Sequence, residues 1–220
     1  MPGPPAFPPD AIQNLYDTVH AAIPQSQLGG IYANKPGYHN ARNQLPSGDY
    51  SVQRADDKKG DGWAASALDI TLPAKYMKQL THRLIDATFD NDDRVWCLRE
   101  FFGTTDGQNV TGLDVRDKRW VTSDPSHLWH VHLSVYRKFA TDNQQLQGVA
   151  QVLLGKSGTG GDTDDMNQED TEKMIMQALR NYHLGSDGTG RFTPKKYPSV
   201  INDEKNGVAD RLQRLEKDNK

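Results

Sequence analysis

Apolar residues recur at Ile12, Leu15, Tyr16, Val19 and Ile23 in the segment DAIQNLYDTVHAAI. This i, i+3, i+4, i+7 spacing predicts an amphipathic helix opening at Asp10, which stands as its acidic cap. A second stripe at Met77, Leu80, Leu84 and Ile85 predicts a helix over 74–88. Strict alternation marks two strands, ALDITL (67–72), which Pro73 ends, and WHVHLSV (129–135). Between the first helix and the first strand, residues 28–62 are rich in Gly, Asn, Pro and Asp, with only DYSV (49–52) patterned as strand. So long a loop inside a domain tends to serve a function. Val95 to Phe102 is expected to form a further helix or a buried turn, followed by the Gly- and Asp-rich TTDGQNVTG.

These elements fall within residues 10–154 and predict an α+β domain: a small antiparallel sheet with helices on one face and a candidate metal site on the other. Residues 1–9 carry five prolines before Asp10 and are expected to form an extended Pro-rich arm. At Gly155 the composition changes abruptly to GKSGTGGDTDD, so residues 155–170 are expected to be a flexible linker. Two short helical patterns, 171–183 and 206–218, make residues 171–220 a helical tail for docking on a larger assembly or for self-association.

The 220 residues are 35% hydrophobic and 25% charged, with no apolar run near the ~18 residues that a membrane helix requires. A net charge of −3 removes the basic footprint of a nucleic-acid-binding protein. The first residues lack the basic and apolar regions of a secretory signal, so delivery outside a cell is expected to follow another route. The single cysteine, Cys97, excludes an internal disulfide and a cysteine-only zinc site, and its neighbours Trp96 and Leu98 mark it as a small core residue. Any bound metal must therefore be held by His, Asp and Glu.

Period two places His130, His132 and Ser134 on one face of the second strand, with Trp129, Val131, Leu133 and Val135 on the core face. The two imidazoles are then rooted about 7 Å apart, close enough to address one small ion. The same parity groups Ala67, Asp69 and Thr71. A strand aspartate is costly to bury unless it is paired or binds a metal, and if the two strands are neighbours Asp69 faces the histidine pair. Among the seven histidines, His39 in GYHNARNQ is the best third ligand. His39, Asp69 and His132 meet the three-ligand count of a catalytic zinc site, and His130 or His127 is left to move protons. Arg42 is a candidate for binding a substrate carboxylate, and Asp49 for supporting a ligand histidine. Glu100 is expected at a surface helix end, and Asp49, Asp56, Asp57 and Asp61 are mostly expected in solvent.

The A-x-D of Ala67 and Asp69, the Trp-His of Trp129 and His130, and the His-x-His of His130 and His132 resemble the zinc peptidase group of D-Ala-D-Ala carboxypeptidases, lysostaphin-type endopeptidases and the hedgehog domain. The likeness covers roughly residues 28–138. It is strongest to uncharacterised actinobacterial and actinophage proteins with GYH, DYSV, SALDI and HLWHVHLS blocks in this order. The resemblance implies zinc as cofactor, with His39 as early ligand at the far end of an inserted loop, then Asp69. The Trp-His alignment makes His130 the last ligand, the His-x-His alignment His132. His127 takes the position where the carboxypeptidase branch has a glutamate base. The implied function is a zinc-dependent peptidase cutting peptide bonds of bacterial peptidoglycan. It would be phage-encoded, either an endolysin or a virion-associated lysin, located in the virion or in host cytoplasm before delivery to the wall. A non-catalytic virion structural or binding protein that keeps the peptidase fold, and a cytoplasmic peptidase acting on small peptides, are the alternatives.

Overall fold

Periodic apolar spacing becomes two helices where it was expected, α1 (Asp10–Ala22) and α2 (Ala74–Phe89), and a third, α3 (Asn143–Leu153), joins them. The computed structural model describes residues 4–156, so residues 157–170 of the expected linker and the expected tail 171–220 lie outside the described residues. The strands are β1 (Gln27–Gly30), β2 (Ala67–Thr71), β3 (Leu98–Gly103), β4 (Thr111–Asp114), β5 (Arg119–Val121) and β6 (His130–Val135). They form one six-stranded sheet in the order β1-β2-β6-β3-β4-β5, with every neighbouring pair antiparallel. The two strands legible in the pattern, β2 and β6, are adjacent at its centre.

One face of the sheet is apolar. Leu68 and Ile70 of β2, Val131 and Leu133 of β6, Phe101 of β3 and Leu113 of β4 are fully buried against the stripes of the helices. Each such side chain taken out of water contributes about 1.5–3 kcal/mol. The opposite face carries Asp69, His132, Ser134, Glu100 and Asp114, and the 31–62 segment covers much of it, for Tyr38 bonds to Asp57 there and Arg54 to Asp114.

Several local expectations are corrected. DYSV is not a strand: Tyr50–Val52 is a 3-10 turn whose amino end is capped by Asp49, which accepts from the Ser51 N–H. Val95 to Phe102 is not a helix but the end of a short 3-10 turn (Asp93–Val95) leading into β3. A bulge between Leu98 and Glu100 lets Leu98 stay in the core while Arg99 and Glu100 both serve the polar face, Arg99 by pairing with Asp114. Glu100 is therefore buried on a central strand rather than at a helix surface. Asp57, expected in solvent, is fully buried and accepts from the Tyr38 hydroxyl at 2.9 Å. Trp129, assigned by alternation to the core, precedes β6 and is 56% exposed. Pro9, not Asp10, caps α1, and no side chain bonds its amino end, although Asp10 in the first turn still complements the helix dipole. The Pro-rich arm is pinned at Phe7, whose N–H bonds Trp63 O and whose carbonyl accepts from Ala65 N.

Candidate metal centre

Antiparallel pairing sets Asp69 directly opposite His132 and Thr71 opposite His130. Both imidazoles and the carboxylate therefore share the polar face, as period two requires. His39 reaches them from the loop after β1. Its turn is held at Ala33 N to His39 O (2.9 Å) and Ser66 N to Tyr38 O (2.7 Å). Arg137, buried just beyond β6, donates to Gly37 O, Asn40 O and Ser51 O and to Ser51 Oγ. This guanidinium fastens both ends of the His39 loop to the sheet.

His39 Nε2 lies 3.1 Å from Asp69 Oδ2 and 3.3 Å from His132 Nδ1, and His132 Nδ1 lies 2.7 Å from Asp69 Oδ1. Three donors bound about 2.0–2.1 Å from a tetrahedral ion stand about 3.3 Å from one another. The three side chains, now at hydrogen-bond distances from one another, are close enough to close around one small cation, and among the described residues they form the group that could hold one. Protonation suits it as well. Nδ1–H of His39 donates to the Ile31 carbonyl at 2.9 Å, so Nε2 is the nitrogen turned toward the other two side chains. Burial pushes the His132 imidazole down to about 4, against the pull of Asp69, so it is neutral at physiological pH. Burial pushes the Asp69 carboxyl upward, but hydrogen bonds from His132 and His39 outweigh it and hold the group well below the usual carboxylate range. Two imidazoles and one carboxylate converge.

The remaining histidines flank this group. His130 Nε2 is 3.7 Å from Asp69 Oδ1, and its buried Nδ1 finds no hydrogen-bond partner among the described residues. Burial lowers the pKa of this imidazole too. A ligand histidine ordinarily has its second nitrogen anchored, and by that criterion His39 and His132 qualify while His130 does not. His127 stacks on Phe102 and His130 at ring distances of 5.0 and 4.7 Å. Its Nδ1–H is committed to the Asp124 carbonyl at 3.1 Å, which leaves Nε2 as the nitrogen not engaged there. The whole group lines an open cleft of about 350 Å³, with Trp129, Tyr50 and Lys35 among the other lining residues.

Two expected site residues are placed elsewhere. Arg42 does not line the cleft, and its guanidinium donates to the carbonyls of Asp57, Lys59 and Gly60 within its own loop. Asp49 supports no ligand histidine: its oxygens accept from Gly37 N, Ser51 N and Ser51 Oγ, so it shapes the loop, and the Ile31 carbonyl anchors His39 instead. Tyr50 and Trp129 also line the cleft; the sequence assigned Tyr50 no role and Trp129 none beyond its place in the Trp-His motif. Comparison of the chain with protein-family models, with curated proteins and with solved structures finds no match, so its functional reading rests on the geometry of this cleft.

Proposed function

We propose that this protein is a zinc-dependent peptidase acting on the peptide of bacterial cell walls, in a phage context as the resemblance implies. The observation that carries the reading is the convergence of His39, Asp69 and His132, from a loop and two strands, close enough to close around one small cation inside an open cleft. Zinc bound there would supply Lewis acidity to a scissile carbonyl and to water. His127 supports the proton chemistry: its Nδ1–H is tied to the Asp124 carbonyl, which leaves Nε2 to exchange a proton with the substrate. His130 stands between His127 and Asp69, where it shields the carboxylate and completes the polar wall of the cleft. Trp129 and Tyr50, both about half exposed, offer aromatic surface to the substrate flanking the cut bond.

The test combines metal analysis with a wall assay. The full chain, stripped and reloaded with zinc, is expected to hold about one ion and to release new amino groups from purified actinobacterial peptidoglycan, and His39→Ala and Asp69→Ala are expected to lose both properties. Metal-free protein that binds walls without cutting them would favour instead the non-catalytic binding protein, in which the hydrogen bonds among the three side chains serve the fold and their loss in His39→Ala and Asp69→Ala lowers stability.

A further inference from the structure

Ser134 is fully buried on β6, one pleat beyond His132 on the same face, and its Oγ lies 2.9 Å from His132 Nε2. It is too far into the sheet to act on a substrate, and the proton chemistry above makes no use of it. Its position matters because His132 presents Nδ1, not Nε2, to Asp69 and His39. An imidazole can offer a lone pair at Nδ1 only when its proton sits on Nε2, and that buried N–H then needs an acceptor. A hydrogen bond from Nδ1 to the Asp69 carboxylate, which lies 2.7 Å away, needs the opposite tautomer, with the proton on Nδ1 and a bare Nε2 that needs a donor.

A hydroxyl is the one common side-chain group that meets both needs, since it rotates between donating and accepting at the same heavy-atom position. A carbonyl or carboxylate there would accept only and lock one tautomer, and an alkyl group would serve neither. We propose that Ser134 is a positioning residue that lets His132 exchange tautomers as a divalent cation enters, donating to Nε2 in the empty site and accepting from Nε2–H in the loaded one. The inference rests on the metal reading and assigns it a device: the histidine is solvated in both states by a group that costs no rearrangement of the strand.

The experiment reads zinc affinity and imidazole protonation, not turnover. Zinc titration of the wild-type chain comes first, and a wild type that takes up no ion overturns the metal reading and this proposal with it. Given binding, Ser134→Ala is expected to weaken zinc affinity about 10- to 100-fold, whereas Ser134→Thr, which keeps the hydroxyl, is expected to stay within about threefold. Equal affinity for Ser134→Ala and wild type overturns the role of Ser134 while leaving the metal site standing. Nitrogen NMR of the wild-type histidines supplies a reading free of any packing defect. The His132 proton is expected on Nδ1 without zinc and on Nε2 with it, and a proton that occupies the same nitrogen in both states overturns the proposal.

Discussion

Asp69 and His132 face each other across β2 and β6, and the carboxylate also holds His39, so one aspartate joins a strand pair to a distant loop. The three residues lie far apart in the chain, His39 and His132 by 93 positions. Any change that moves one of the three elements should therefore be felt as a change in ion binding, even where the altered residue touches no ligand.

The two unligated histidines should separate in their effects. His127→Gln removes the base whose Nδ1–H is fixed by Asp124, and it is expected to cost about 10²- to 10⁴-fold in hydrolysis with zinc content unchanged. His130→Gln, at a ring whose Nε2 is turned to Asp69, is expected to cost much less. Rates on wall peptide set beside metal analysis of both variants check the assignment, and the reverse order of losses would transfer the role of base to His130.

Arg137→Met tests whether the His39 loop is held from beneath. Four bonds from a buried guanidinium are lost, and the carbonyls of Asn40 and Ser51 are left in need of donors while that of Gly37 keeps the Asn40 N–H. The expected cost is at least about 3 kcal/mol of stability. Zinc affinity should fall as well, because the freed loop must be ordered anew each time the ion binds. Denaturant unfolding and zinc titration measure the two effects on the same protein.

Gly29→Ala probes the other side of Asp69. Gly29 is the extra residue of the bulge in the β1–β2 pairing, and a Cβ there would come within 2.8 Å of the Asp69 Cβ and 3.1 Å of its carbonyl oxygen. The neighbour is backbone and the root of a ligand, so it cannot swing aside. Overpacking of this kind is expected to cost about 1–3 kcal/mol and to shift the carboxylate off its partners. Thermal unfolding with and without zinc should show both the loss of stability and a smaller gain on adding the ion.

Asp86 on α2 gives a pH dependence that is independent of the site. Burial, with the charge of Asp90 one turn on, pushes its carboxyl from 3.8 up to about 7. Between those values the folded chain binds more protons than the unfolded one, so this residue makes stability fall as pH rises from about 4 to about 7 and level off above. Asp86→Asn is expected to raise stability by about 1–2 kcal/mol at pH 8, after allowance for partial solvent screening, and to change it little at pH 4. Melting curves at the two pH values decide it. A gain of equal size at both would assign the effect to packing or helix propensity.

The sequence by itself determined the helices α1 and α2, the strands β2 and β6 and the side on which each strand turns its polar groups, because apolar periodicity is a local record of which face is buried. It also grouped His39, Asp69 and His132, since two of them lie on strands of known parity and the third was the histidine best placed in a loop. It did not yield β3, β4 and β5, whose short or bulged segments mix charges such as Arg99, Glu100, Asp114 and Arg119 with apolar residues. The buried ones, Arg99, Glu100 and Asp114, pair with one another and with Arg54 of the 31–62 segment, while Arg119 is exposed. Tertiary structure alone placed His132 rather than His130 in the group with His39 and Asp69, turned Arg42 and Asp49 to their own loop and set Trp129 at the cleft. A hydrogen bond between residues tens of positions apart leaves no period in the chain. Whether a polar side chain is free for chemistry or already committed to a carbonyl is settled only when the loops close over the sheet.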